Sequence, residues 1–592
     1  MIKLFLALLF NIPMVFSAIG QKPAPVNYTK GYFRYPLAIT PRLNANFGEM
    51  RPNHFHMGLD LFTLRKENLP IYAAADGYIS RVKIEAGGFG NAIVINHPNG
   101  LSTLYAHMND FMAPLDEYVK DQQYEHESWA ADLNIPAVMF PVKKGDIIGY
   151  SGNTGGSQGP HVHFEIRETA TDICLNPLLF GFNIPDNVPP DMFKLAIYNR
   201  NISSYEQFPL IIPVLKSGQG YTAPPVIISF DKVIIAIQST DRMTGVPNSN
   251  GIFQAILYEN EKAIGGFRIN RIGYDQTRYL NAHIDYKTKL SGGAYFQYLF
   301  PLPGDKLDIY PYSTPGSFIS LKDTAVHHYW LEIKDAYGNT SKMQFSLQRS
   351  VGNGKLTGNG QVDDKVEGNE TGKGKAAGNR VGSNTEGGVL MKPGELNVFD
   401  SPEMEVYLPE QVLYDSIYFN SSASPGGQPL SFSPEYTIHT PQTPLHDYFI
   451  LRIKPGRTIP YPLRDKIIIR QVSQDDIFVR KASWEMGMYM AKFRAFGIFQ
   501  LVADDQPPLL SGLSQGANLS KVSRITIYAR DNFEAVKNFR AELDGKWLRF
   551  SQRGNTFTYK FDERCGKGEH ELRISIDDEA GNRTTQNIRF SR

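Results

Sequence analysis

Residues 160–167 read PHVHFEIR. Positions 161, 163, 165 and 167 are His, His, Glu and Arg, while 162, 164 and 166 are Val, Phe and Ile. Successive side chains of a strand point to opposite faces, so this period-two pattern predicts a β-strand. One face packs on a core, and the other carries His161 and His163 side by side. Two readings are open for that face: a histidine-bearing surface strand or a metal site. His-x-His alone does not separate them.

A second stretch shifts the balance toward metal. HFHMGLDLFT (54–63) holds His56 and Asp60 in a His-x-x-x-Asp spacing, with Gly58 between them and apolar residues after. Imidazole nitrogen and carboxylate oxygen are both zinc ligands. His56, Asp60 and one histidine of the pair make three protein ligands, which leaves a position for water, as catalytic zinc sites do. His54 is a further candidate, though a loop histidine reads as structural. In LSTLYAHMND (101–110), strand alternation predicts Thr103, Tyr105 and His107 on one face and Leu104, Ala106 and Met108 on the other. Beside a metal site, His107 becomes a candidate acid–base or oxyanion group.

Taken in order, His56-x-x-x-Asp60, then YAHM, then GYSGNTGGSQGPHVHFEIR (149–167) resemble the lysostaphin-like, LytM-type zinc metallopeptidases, which cleave peptide crosslinks of bacterial cell walls. The intervening stretches PIYAAADGYISRV (70–82), GGFGNAIVINHPNG (87–100) and VKKGDIIGYSGNTG (142–155) are similar to that family's strands and turns. The resemblance covers roughly residues 40–182. It implies a mainly antiparallel β-domain of the duplicated hybrid motif type, with an open groove. It also implies that His56, Asp60 and His163 bind zinc (Zn2+), that His161 is the general base, and that His107 assists it or polarises the tetrahedral intermediate. Glu165 shares the strand face and reads as a group behind the ligands or at the surface. The departure from the family is residues 109–140, partly helical in pattern, where the family has a short connection. This insertion either rims the groove or packs away from it.

The rest of the chain is too long for one domain at 592 residues. A net charge of +1 offers no electrostatic case for nucleic acid. MIKLFLALLFNIPMVFSAIG (1–20) fits a secretory signal peptide, with Asn11 and Pro13 interrupting an apolar run already short for a membrane span. No other stretch is apolar enough to span. Cys174 and Cys565, the only cysteines, stand in different expected domains, so no disulfide framework is expected. The proline-rich joints PDNVPPDMF (185–193) and ADDQPPLL (503–510) read as domain boundaries. Segments 330–347 and 571–590 repeat one pattern, in which Asp335, Gly338 and Asn339 match Asp578, Gly581 and Asn582 in the turn of a hairpin. The expected organisation is a peptidase domain (21–185), a β-sandwich (186–350), a β-rich module (389–505) and a C-terminal Ig-like β-sandwich (506–592). Residues 351–388, with eleven glycines and no aromatic residue, read as a flexible linker.

The functional expectation is an exported zinc endopeptidase acting on peptidoglycan stem peptides or crosslinks, located in the periplasm, at the cell envelope or outside the cell. One alternative is a non-catalytic wall-binding or hydrolase-activating protein on the same domain. Another is an adhesion or scaffold role for the C-terminal β-modules, which are also the expected docking surface for any protein partner.

Overall fold

In a computed structural model of the protein, residues 28–350 and 388–592 are described, apart from positions 219, 429, 475, 534 and 535; so is the backbone of 355–356 and 362–363. The expected signal peptide and nearly all of the glycine-rich linker lie outside the described residues.

The strand read from PHVHFEIR forms at the centre of the first sheet. In chain order its members are β1 (Leu43–Ala45), β2 (Leu59–Phe62), β3 (Gly77–Ile84), β4 (Asn91–Asn96), β5 (Leu101–Met108), β6 (Ala131–Asn134) and β7 (His161–Glu168). Across the sheet they run β1-β2-β7-β5-β4-β3-β6, each neighbouring pair antiparallel. β7 therefore lies between the strand carrying Asp60 and the strand carrying His107. Val162, Phe164 and Ile166 are fully buried, as are Leu59 and Leu61 on β2. Burying side chains of this size contributes roughly 1.5–3 kcal/mol each. The opposite face of β7 is left for the polar residues.

The insertion contributes α1 (Ala113–Glu125), which has proline in its first turn and buries Leu115 and Val119. It then adds β6 to the edge of the sheet against β3. The sheet also continues into the second module. Cys174–Leu175 pairs with β7 on one side and with Arg271–Ile272 on the other.

The remaining modules are each built on two main sheets, to which the middle one adds a two-stranded pair, Val389–Met391 with Ile417–Phe419. Residues 191–349 form sheets of five and seven strands, 397–503 two of five, and 509–591 sheets of four and five. One apolar core runs without a break through the first three units, while the C-terminal module has its own. That module leans on α1. The Trp547 and Tyr124 rings stand 5.0 Å apart, Arg564 lies 3.6 Å over Tyr124, and Arg549 bonds Gln123 at 2.9 Å. Cys174 and Cys565 are both buried and unbridged. Both Asp-x-x-Gly-Asn turns close antiparallel hairpins, with Gly338 and Gly581 at φ +94° and +87°, a conformation glycine adopts without steric cost.

Candidate active site

His56 follows a short hairpin, Met50–Arg51 with His54–Phe55. Its backbone is held by Gly48 N to His56 O and His56 N to Glu49 O, both 2.8 Å. Asp60 lies on β2 directly opposite His163 on β7. Gly58 lets the two come together, because a Cβ there would meet Phe164 O at 2.4 Å and His163 Cε1 at 3.0 Å. The result is a convergence of three donor atoms. His56 Nε2 is 2.9 Å from Asp60 Oδ1 and 3.0 Å from His163 Nδ1, and His163 Nδ1 is 3.0 Å from Asp60 Oδ1.

The other ring nitrogens settle which atoms are free to bind. His56 Nδ1 faces the Asn46 carbonyl at 2.7 Å, and His163 Nε2 faces Glu165 Oε1 at 2.8 Å. A carbonyl or carboxylate oxygen only accepts, so those nitrogens carry the protons. Nε2 of His56 and Nδ1 of His163 are then bare and point at the same spot as a carboxylate oxygen. Two lone pairs and an anion facing one another at 3 Å form a donor set that a cation completes, and it fits zinc in ligand type and number.

His161 and His107 stand beside this group. His161 Nδ1 donates to Gly159 O at 2.8 Å, and its Nε2 lies 3.3 Å from Asp60 Oδ1. His107 Nδ1 donates to Thr154 O at 2.9 Å. The two rings are 4.7 Å apart. Burial pushes His107 down to about 3, with His163 and His161 adding to the effect, so its ring is neutral and its Nε2 is an acceptor.

The alternation expected for β5 fails at His107. Its φ is +61°, and β5 spends three steps from Tyr105 to Met108 where β4 spends two, from Ile93 to Asn91. This is a β-bulge, which re-aims a side chain. Tyr105 and Met108 join the main core, whereas Leu104 and Ala106 form a separate cluster with Ala92 and Phe89. His107 therefore does not share a face with Tyr105 and Thr103; the bulge turns it toward His161 and His163.

Glu165 is corrected in part: it stands behind His163 and is fully buried, so the surface reading falls. Its partners are Arg167 Nε at 2.6 Å, Cys174 Sγ at 3.2 Å and the Tyr274 hydroxyl of the second module. His54 faces away, its Nδ1 on Pro52 O. Sequence reasoning missed Arg51, whose Nη2 donates to Asp60 Oδ2 at 2.7 Å while its Nε pairs with Glu49. It also missed Asn46 and Tyr274. Arg51 lies close to His56 in sequence, but nothing in the spacing marks it.

Asp60, His107 and His161 line a cleft of about 980 Å³. Arg42, Arg51 and Arg65 line it, together with the 156–161 loop and Val246, Pro247 and Asn248 of the second module. No residue of the insertion lines it.

Comparison with known proteins gives the same part of the chain a family. Residues 54–124 and 138–175 match the model of peptidase family M23, and residues 389–504 match a Zu5-like domain. The DD-carboxypeptidase/endopeptidase Mpg of Neisseria meningitidis serogroup B is 32% identical over 172 residues, covering 28% of this chain and 33% of that protein. The peptidoglycan DD-endopeptidase ShyA of Vibrio cholerae is 28% identical over 143 residues, 23% of this chain and 27% of that one. The chain thus spans about a third of the length of the curated relatives it matches. The catalytic domain of lysostaphin from Staphylococcus simulans aligns at 24% identity and a TM-score of 0.17, covering 24% of this chain and 91% of that one. The N-terminal unit of this chain is a peptidase family M23 domain.

Proposed function

We propose that this chain is an exported, zinc-dependent endopeptidase that hydrolyses peptide bonds in the stem peptides or crosslinks of peptidoglycan. The observation that carries the reading is the convergence of His56 Nε2, Asp60 Oδ1 and His163 Nδ1 within 3.0 Å of one another, beside a cleft that Asp60, His107 and His161 line. A zinc ion held there would lower the pKa of a bound water from about 15.7 to about 7 and polarise the scissile carbonyl.

The chain's own residues supply the proton chemistry. His161, with Nδ1–H tied to Gly159 O, presents a bare Nε2 to the water and takes its proton. The same nitrogen then returns the proton to the leaving amine. His107, neutral and tied to Thr154 O, also presents an acceptor. It orients the water and is not an oxyanion donor. Arg51 fixes Asp60 from the other side, so that Oδ1 stays aimed at the ring nitrogens. Arg42 and Arg65 give the cleft a cationic wall that suits a peptide bearing free carboxylates. The leader-like residues 1–20 and the peptidoglycan enzymes among the relatives support export and substrate.

Digestion of purified peptidoglycan, with products read by mass spectrometry, tests the proposal. The zinc-loaded protein is expected to release new amino termini within stem peptides or crosslinks. A His161→Ala variant is expected to release them about 10²–10⁴-fold more slowly while retaining its zinc. A wild-type preparation with one zinc per chain that cleaves no peptidoglycan bond overturns the assignment.

A further inference from the structure

Two clusters of three aspartates lie at the module joints. Asp186 comes from the joint before the second module, Asp241 follows the strand Lys232–Thr240, and Asp335 opens the Asp-x-x-Gly-Asn turn. One carboxylate oxygen of each lies within 4.8 Å of the other two. Asp504, Asp531 and Asp578 form the same arrangement at the joint before the C-terminal module. The match holds residue by residue. Asp531 follows the strand Arg524–Arg530, and Asp578 opens the second Asp-x-x-Gly-Asn turn. The turn asparagine reaches the joint aspartate in both: Asn339 Nδ2 to Asp186 O at 3.4 Å, and Asn582 Nδ2 to Asp504 O at 2.8 Å. Among the described residues, none of the six aspartates pairs with a lysine or arginine.

Acidic clusters are common, but this one contains buried groups left without partners. Asp241 is 3% exposed, and its Oδ1 has no hydrogen-bond partner among the described residues. Asn250 is also 3% exposed, and neither atom of its amide has one. Asp241 and Asn250 exchange both backbone hydrogen bonds, at 3.0 and 2.8 Å. In such an antiparallel pair the two side chains lie on the same face, so the Asn250 amide shares a face with the Asp241 carboxylate. Leaving a buried carboxylate and a buried amide unpaired costs free energy that a ligand would recover.

We infer that each cluster is a calcium site, the first formed by Asp186, Asp241 and Asp335 with Asn250, and the second by Asp504, Asp531 and Asp578. All the donors are oxygens, which suit a hard cation and not zinc. Calcium binds oxygens at about 2.3–2.6 Å, so two of its ligands stand up to about 5 Å apart; for magnesium, at about 2.0–2.1 Å, the limit is nearer 4 Å. The carboxylate oxygens of each cluster lie within 4.8 Å of one another, close enough for one calcium ion to bridge them. The first site has a consequence for the cleft. Asp241 and Asn250 close the base of the loop whose Val246, Pro247 and Asn248 line it. The next residue, Gly251, exchanges hydrogen bonds with the Asn46 side chain, and Asn46 O holds His56. An ion at this joint fixes the loop that walls the peptidase cleft.

Calcium titration of the full chain, carrying its zinc and dialysed into calcium-free buffer, tests this. Equilibrium dialysis with labelled CaCl2 is expected to find two ions per chain, with affinity in the range of about 10⁻⁴–10⁻³ M typical of extracellular modules. The Tm is expected to rise with CaCl2 and to respond less to MgCl2. Asp241→Asn should bind one ion. Asp241→Asn combined with Asp531→Asn should bind none, with a Tm indifferent to CaCl2. Wild-type protein that binds no calcium at about 5 mM, well above that range, overturns the inference. So does a double variant that keeps both ions. Wild-type protein that binds only one ion, lost in Asp241→Asn, upholds the first site and overturns its repeat. Should the double variant fail to fold, the wild-type stoichiometry and Tm shift decide alone.

Discussion

Four histidines cluster at the site, and each has one ring nitrogen committed to an oxygen: Asn46 O, Glu165 Oε1, Gly159 O and Thr154 O. In a neutral ring that commitment leaves the second nitrogen as an acceptor. Replacing His163 with Ala removes one of three ligands, and the zinc is expected to be lost with all activity. Replacing His161 with Ala leaves the three ligands in place. Zinc should remain at one per chain while turnover falls about 10²–10⁴-fold, the usual worth of a general base. Metal analysis and turnover on one preparation distinguish the two, and loss of zinc from His161→Ala would make that residue a ligand. Glu165→Gln tests the group behind the metal. The amide still accepts from His163, but the buried Arg167 guanidinium loses one of its two charge partners and keeps only Asp172. Zinc affinity is expected to drop about 10–100-fold in competition with a chromogenic chelator. Unchanged affinity would leave Glu165 a structural partner of Arg167 alone.

At the scale of elements, the site depends on two departures from a regular sheet. One is the bulge that turns His107 out of the core. The other is the close approach of the 56–60 segment to β7, which Gly58 alone permits. A methyl group at 58 would press on Phe164 O, on Glu165 Cγ at 2.8 Å and on His163 Cε1. Gly58→Ala is therefore expected to destabilise the domain by about 1–3 kcal/mol, as overpacking does, and to weaken zinc binding by parting His56 from His163. Thermal melts with and without added zinc check it; equal shifts in both would mean the ligands had not moved. The insertion is the other element-scale result. Its helix buries Leu115 and Val119, its strand extends the sheet edge, and its exposed face holds Trp547 and Arg564. It reaches the cleft only through the module it carries, whose Arg553 donates to Ser157 O at 3.2 Å.

At the scale of the molecule, the peptidase unit is not closed on its own. Arg271–Ile272 extends its sheet, the Tyr274 hydroxyl bonds Glu165, Arg271 pairs with Glu168, and Thr277 Oγ1 accepts from Phe55 N. A fragment of residues 28–186 loses all four contacts and exposes core that continues into the second module. It is expected to melt below a fragment of residues 28–350 and to bind zinc more weakly. Calorimetry and zinc titration of the two compare them directly, and equal values would show that the second module only adjoins the first.

The sequence by itself determined the strand β7, the ligand types and the order of the three histidine-bearing stretches. Period-two alternation and metal–donor chemistry are local, and both can be read over a few residues, as in His56-x-x-x-Asp60 and His161-x-His163. The paired Asp-x-x-Gly-Asn turns were legible for the same reason. The sequence did not disclose the partners of those residues. Alternation placed His107 on the wrong face, because a bulge changes register without leaving a mark in composition. Arg51, Asn46 and Tyr274 were invisible as site residues, since Tyr274 meets Glu165 across 109 positions and only packing brings them together. The aspartates at the joints were scattered single letters until the modules folded and set Asp186 beside Asp241 and Asp335. Side-chain direction follows from sequence only within an unbroken element; wherever a bulge, a turn or a module boundary intervenes, the tertiary structure decides which groups face each other.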